Sequence, residues 1–292
     1  MRLLIKFNLL LIFVFGVGIA ITGYVANNFL QENAREEVVQ QARLMMGAAG
    51  GMRTYTSKQV GPLLAAHQSD SKGFAPQRVP AYSATEVFNY LRKEYPAYTY
   101  KEATLNPTNL RDQALGWEVD VVEEFRNHPE RKERIGQRET PEGASLFLAR
   151  PMTAAPECLM CHSVTSAAPA SMIASYGPDH GFGWKAGEVV AAQIVSVPMS
   201  VPVGMADRAF KTLIISLSGV FVFTLALLDL GLIFIVVHPV DQLSCLADEI
   251  SNGNLHVPEL PAKGWDEIAQ LARSFNRMSQ SLTTATRFNQ PE

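Results

Sequence analysis

Long runs of Lys and Arg are missing from this sequence. Its 25 basic against 28 acidic residues leave a net charge of −3, so no nucleic-acid partner is expected. Cysteine is scarce, at three among 292 residues. Two of the three stand together and the third, Cys245, lies far along the chain. That leaves no second Cys/His pair for a four-ligand structural zinc site. The sequence holds no kinase catalytic signature, no long methyl-accepting hairpin and no cyclase motif. No internal repeat of about 20–50 residues stands out, and no acid/base constellation points to an enzyme.

What is there begins with Cys158-Leu159-Met160-Cys161-His162. Two cysteines three positions apart, with histidine directly after the second, read as a c-type haem attachment site. Two thiols add to the two vinyl groups of one porphyrin edge, and the adjacent imidazole becomes the proximal iron ligand. One covalent haem c per chain is the expectation. A disulfide or thioredoxin-type redox pair is the competing reading, although the motif follows Pro156-Glu157 in a loop-like setting and not the end of a strand.

Apolar residues are unevenly spread. Phe7 to Gln31 carries no charge, and Leu213 to Val237 is broken only by Asp229. Each is long enough to cross a bilayer as a helix. Arg2 and Lys6 form a short basic start, compatible with a cleaved signal peptide. The long apolar run without a small-residue cleavage site favours an uncleaved anchor with its N-terminus in the cytoplasm. Two crossings then place residues 31–212 outside and the tail back inside, consistent with a bacterial inner membrane and a periplasmic haem domain. Asp229, an ionisable group within a span, is a functional candidate, with its twin in a dimer, Thr224 or a partner helix as expected contacts. Cys245 is expected to be a buried small residue.

Between the spans, good helix formers continue from Gln31 to about Leu64. Val38, Ala42, Met45, Ala49 and Met52 share one helical face, as a packing stripe or as the source of a second axial ligand. Gly47, Gly50 and Gly51 allow close approach of a bulky ring. Phe74 to Tyr82 reads as a loop, and Ser83-Ala84-Thr85-Glu86 as a capping box opening a helix to about Glu94. A strand is expected over Tyr98 to Glu102, a turn at Asn106–Asn109, a helix over Asp112 to Asn127 and a solvated hairpin over Glu130 to Glu142. Further strands cover Ala144 to Met152 and Glu188 to Met199. The last is near-continuously apolar and so central. The fold class is α+β, an antiparallel sheet with flanking helices. After the second span, Val240, Leu243, Ala247 and Ile250, then Ile268, Leu271, Phe275, Met278 and Leu282, form heptad stripes. Such faces need a second chain.

Pro239, Gly253, Asp266-Glu267-Ile268 and Ser274-Phe275-Asn276-Arg277-Met278 resemble a HAMP linker of bacterial transmembrane receptors. Ala269 stands where that pattern usually has Gly. The resemblance implies a homodimer whose parallel four-helix bundle switches between packings. The outer segment resembles a bacterial family of c-haem sensor domains with a PAS-like fold. Arg53–Thr56, Val79–Ala84, Tyr100–Asn109, the haem motif and Gly181–Lys185 carry the likeness. It implies about five antiparallel strands, haem on one face, and sensing of redox state or of NO, CO or O2. Some members of that family use a cysteine as the second axial ligand; no cysteine precedes Cys158 in the domain here, so Met45, Met46, Met52 and His67 are the substitutes, or the position is open or weakly held.

Arg53 and Lys101 are candidate propionate partners, and Trp184, Tyr176 and Phe182 candidates to pack on the porphyrin. His180 and Met199 read as surface and packing residues. The expected organisation is 1–30 first span, 31–212 haem domain, 213–237 second span, 238–284 HAMP and 285–292 tail. The leading expectation is a membrane-anchored haem sensor acting through a separate cytoplasmic signalling partner. Its rival is an electron-transfer cytochrome anchored beside a respiratory or photosynthetic complex, with a redox partner instead.

Overall fold

The computed structural model describes residues 2–67 and 73–288 and divides into two compact units, one of Ala26–Phe210 and one of Met1–Val25 with Lys211–Glu292. The first helix, α1 (Arg2–Tyr55), crosses that division without interruption. It is followed by a π-helical turn, Thr56–Val60, and by α2 (Gly61–His67).

The turn has a local cause. Pro62 lacks an N–H, and its ring would collide with a carbonyl one turn back in a regular helix. Widening the preceding turn removes the collision, and the Gly61 N–H bonds Thr56 O, five residues earlier. A widened turn of this kind is a π-bulge. The same device recurs ahead of Pro239, where Ile233–Val237 is π-helical and the His238 N–H bonds Ile233 O.

In the Ala26–Phe210 unit, α3 (Pro80–Glu94) precedes β1 (Thr99–Thr104), and α4 (Trp117–Asn127) precedes the hairpin β2 (Arg134–Thr140) and β3 (Gly143–Thr153). A long excursion carrying α5 (Leu159–His162) and α6 (Ala170–Tyr176) leads to β4 (Val189–Pro198). The four strands are antiparallel in the order β1-β4-β3-β2, so four strands replace the expected five or so. β4 is an inner strand, as its unbroken apolar run requires.

Side-chain alternation sends the two faces of this sheet to different helices. Tyr100, Leu146, Leu148, Val195 and Val197 pack on Val38, Ala42, Met46 and Ala49 of α1 and on Ala84 and Phe88 of α3. Ala103, Phe147, Ala149, Ala192 and Ile194 pack on Val121, Val122 and Phe125 of α4. Each fully buried Leu, Val or Phe contributes about 1.5–3 kcal/mol by leaving water.

Several local expectations are corrected. α3 opens at Pro80, with Val79 as its N-cap and no side-chain cap. Ser83 lies inside the helix, and its hydroxyl donates to Gln77 O. A proline in the first helical position, where its missing N–H costs nothing, supplies the start instead. α4 begins at Trp117 rather than near Asp112, because Gly116 sits at φ 51° and breaks the chain direction ahead of it. In α1 the fully buried methionine is Met46, one residue beyond the expected Met45, which lies partly buried at the edge with Met52.

In the other unit, the α1 segment and α7 (Ser200–Leu232) are long and apolar enough to cross a membrane. Phe15 stacks on Phe221 at 4.8 Å between centroids. Asn8 Nδ2 donates to Asp229 Oδ2 at 3.0 Å. Thr224 is not Asp229's partner, since its hydroxyl donates to Val220 O within its own helix. Beyond the π turn, α8 (His238–Ser251) and α9 (Glu267–Phe288) are joined by a connector that begins with Gly253 at φ 94°.

Leu243, Leu260 and Ala272 form a small core there. Asp266 caps α9 by accepting from the Ala269 N–H at 2.7 Å. Asn276 clasps the connector from both sides, accepting from Leu260 N and donating to Leu260 O. Ala269 is buried on this inner face, while Leu271, Met278 and Leu282 stay exposed. Cys245 is also exposed in the single chain, contrary to expectation.

One ion-pair cluster ties α1 to the sheet. Glu133 accepts from Arg43 of α1 at 2.9 Å and from Arg150 of β3 at 2.8 Å. Burial works to raise its carboxyl, but the two guanidinium groups outweigh burial and hold it below the ordinary carboxylate range. A carboxylate lowered in the folded state stabilises above its unfolded pKa and loses that contribution as pH falls through the folded one. Acid unfolding followed by circular dichroism is therefore expected to be less steep below the ordinary carboxylate range in Glu133→Gln, with the variant less stable than the parent near neutrality.

Candidate functional site

The excursion between β3 and β4 is closed at its base by two backbone bonds, Ala154 N to Glu188 O and Gly187 N to Ala154 O, each 2.9 Å. Within it, Pro156–Cys158 forms one 3-10 turn and α5 follows directly, so Cys158, Cys161 and His162 lie on one short helical segment. Both cysteines are free thiols and half-buried. Burial pushes the Cys161 thiol up, Cys158 adding to that and Arg78 opposing it. Cys158 lies within electrostatic range of Arg53.

His162 is the most constrained of the three. Its Nδ1 lies 2.7 Å from Gly181 O, and a carbonyl can only accept. Nδ1 therefore carries the proton, and the Nε2 lone pair is left for a ligand or metal, the usual way a backbone carbonyl selects the tautomer of a ligating histidine. Burial holds the imidazole below its ordinary range, with the Gly181 bond opposing. The ring stacks on Trp184 at 4.0 Å and 11°.

The returning strand of the excursion runs along the motif. Gly183 N donates to Ser163 O at 2.9 Å and Trp184 N to His162 O at 3.1 Å. Gly181 has φ 83°, and a Cβ there would stand 2.1 Å from Thr108 Oγ1 and 2.8 Å from Thr108 Cα. Only glycine fits. Asn106 fastens this loop to the turn after β1, donating to Phe182 O and accepting from Gly181 N.

The remaining candidates divide. Arg53 forms an ion pair with Glu102, which is buried and also accepts from Tyr100 OH at 2.7 Å; Gln193 donates to that hydroxyl at 3.0 Å. Lys101 faces the other side of the sheet and bonds Glu118 at 2.6 Å and Gln113 O at 2.8 Å. Tyr176 meets Phe74 edge-on at 5.8 Å. Met199 is a core residue and His180 is exposed. The His67 side chain lies outside the described residues. Beside Gly47, Gly50 and Gly51 an added Cβ would meet no heavy atom within 4 Å.

Sequence reasoning missed Glu102 and Thr108. A lone acidic residue inside the strand run Thr99–Thr104 was the available signal for Glu102; nothing local marked Thr108. Among the described residues, no three His, Cys, Asp or Glu side chains converge as a metal cluster. The donor set is thus one imidazole with two neighbouring thiols, which fits covalent attachment of a porphyrin better than a protein-only metal site.

Two apolar helices, a mixed α/β domain and a C-terminal helix pair with its connector make up a membrane-linked signal transducer. The chain belongs to the Tll0287-like family, whose model matches residues 31–198. A HAMP domain matches residues 232–284, beginning ahead of the expected 238 and taking in the π turn. Among solved structures, the crystal structure of the cyanobacterial heme-protein Tll0287 aligns at 16% identity and a TM-score of 0.40, over 56% of this chain and 95% of that one. No curated protein matches the chain.

Gly177, at φ 84° with open space around its would-be Cβ, serves as the control for Gly181. Gly177→Ala is expected to lose about 1 kcal/mol from backbone conformation alone. Gly181→Ala adds the collision with Thr108 and should cost at least about 2 kcal/mol more, measured as the difference between their chemical-denaturation curves.

Proposed function

We propose that this protein is a membrane-anchored sensor carrying one covalent haem c and signalling through its HAMP domain. Cys158 and Cys161 hold the porphyrin as thioethers, and His162 Nε2 is the proximal ligand. The Nδ1 bond of His162 to Gly181 O is the observation that carries the reading, because it leaves Nε2 unprotonated beside the two thiols. When bound, haem supplies a one-electron centre able to take an axial ligand. The chain's own residues orient the imidazole, hold the attachment segment closed and place the half-buried Arg53 guanidinium within electrostatic range of Cys158.

Met45, Met46 and Met52 are the candidates for the distal side. Met52 is favoured, since Met46 is enclosed in the core and Met52 adjoins Arg53, which lies in range of Cys158. Arg53, paired with Glu102 here, is the candidate cation for a propionate, and Trp184 supports the proximal ring. The two-faced four-stranded sheet is read as PAS-like. The domain is placed in the periplasm and the HAMP segment in the cytoplasm of a bacterial inner membrane. A redox change, or NO, CO or O2 at the iron, biases a two-state HAMP bundle that acts on a separate partner; no catalytic role and no nucleic acid are proposed.

Visible spectra of the purified protein, oxidised and reduced, with and without CO and NO, test this. Absorbance that survives denaturation and organic extraction is expected, and its loss in Cys158→Ala/Cys161→Ala. Six-coordinate bands indifferent to CO would make redox the stimulus, and ready CO or NO binding would make it a gas. No haem absorbance in protein matured with a haem-attachment system would overturn the proposal.

The HAMP arm of the reading requires a homodimer, because Leu271, Met278 and Leu282 are exposed in the single chain. Leu271→Glu should abolish dimerisation in light scattering of the detergent-solubilised protein while leaving the haem spectrum unchanged.

A further inference from the structure

Asp229 lies in the apolar segment of α7, and among the described residues no cation pairs with it. Among the described residues, its one hydrogen bond comes from Asn8 Nδ2 to Oδ2, at 3.0 Å. The other oxygen of each side chain, Asp229 Oδ1 and Asn8 Oδ1, is occluded from solvent and has no partner. Two occluded acceptors on hydrogen-bonded side chains, facing an apolar interior without a donor, are unfavourable. A carboxylate there is more costly still.

We propose that Asp229 is a protonated carboxylic acid, paired at two points with the Asn8 carboxamide. The acid O–H at Oδ1 donates to Asn8 Oδ1 while Asn8 Nδ2 donates to Asp229 Oδ2. One added proton satisfies both orphan acceptors and cancels the charge, leaving a neutral ring of two hydrogen bonds between the helices. The site's ligand is a proton.

The surroundings agree. On α1 the only titratable residue between Lys6 and Glu32 is Tyr24, which is exposed; on α7 none but Asp229 lies between Lys211 and His238. Lys6 and His238 are themselves exposed. Among the described side chains, nothing on either packed helix supplies a counter-charge, so a proton does. Phe15 on Phe221, two helical turns along α1, marks the same antiparallel pairing of the two segments.

The proposal rests on reading both segments as membrane spans, which alkaline extraction of membranes tests separately. If the chain is released by alkali, that reading fails and the pair loses its basis. With the chain retained, infrared spectra of the full protein in lipid nanodiscs are expected to contain a protonated-acid carbonyl band, absent in Asp229→Asn and shifted in Asn8→Leu. A Phe15→Cys/Phe221→Cys pair in a Cys245→Ser background reports whether the helices stay tied. Asp229→Asn, which can form the equivalent amide–amide ring, should cross-link like the parent. Asp229→Leu and Asn8→Leu should each lower the equilibrium cross-linked ratio about three- to tenfold. An Asp229 seen only as carboxylate, or cross-linking indifferent to both leucine variants, would overturn the proposal.

Discussion

The bond from His162 Nδ1 to Gly181 O is the constraint on which the site depends. It fixes which nitrogen carries the proton, and therefore which one is available for chemistry. That bond exists only because the chain returns over the motif at a residue without a side chain, at a backbone angle that residue alone accepts freely. The return is held in turn by Asn106, by the backbone bonds to His162 and Ser163, and by the paired bonds at Ala154. A four-residue helix with no stability of its own is thereby given a single orientation by the returning loop.

The second organising feature is polar. Glu102 is buried on the sheet face that packs against α1, and it is accompanied by Arg53, Tyr100 and Gln193 in one connected set. Burial and the neighbouring Glu102 carboxylate both push the Tyr100 hydroxyl up, keeping it a donor. Ion pairs of this sort add little net stability over an apolar alternative, yet removing one member leaves an uncompensated charge. The set therefore specifies where α1 lies along the sheet more than how strongly it is held there. It also places a guanidinium in electrostatic range of Cys158, linking the longest helix to the Cys158–His162 segment.

Local chemistry made much of this legible in the sequence. The apolar run through Val195 marked an inner strand because both faces of the sheet are covered, and the spacing of Cys158, Cys161 and His162 singled them out before the structure set them on one short helical segment. The start of α3 was misplaced because Ser83 and Glu86 match a capping pattern, while Pro80 opens the helix three residues earlier. Arg53 could be flagged as a candidate propionate partner, but its ion-pair partner could not, since Glu102 lies 49 residues away and only the fold joins them. Thr108 was silent for the same reason: its importance is steric, and exists only once Gly181 has been brought against it. The pairing of Asn8 with Asp229, 221 positions apart, is likewise a product of topology.

The two π turns, each ending two residues before a proline, have a geometric consequence. Each lodges one surplus residue in a helix, and one residue corresponds to roughly 100° of azimuth about the axis. The helix runs on past the proline unbroken, but its angular phase is reset. The side that α8 presents to a neighbour is thus set by the surplus residue at Ile233–Val237 and not by extrapolating the faces of α7. A change confined to that one wide turn would re-aim every side chain after it while leaving the helix continuous.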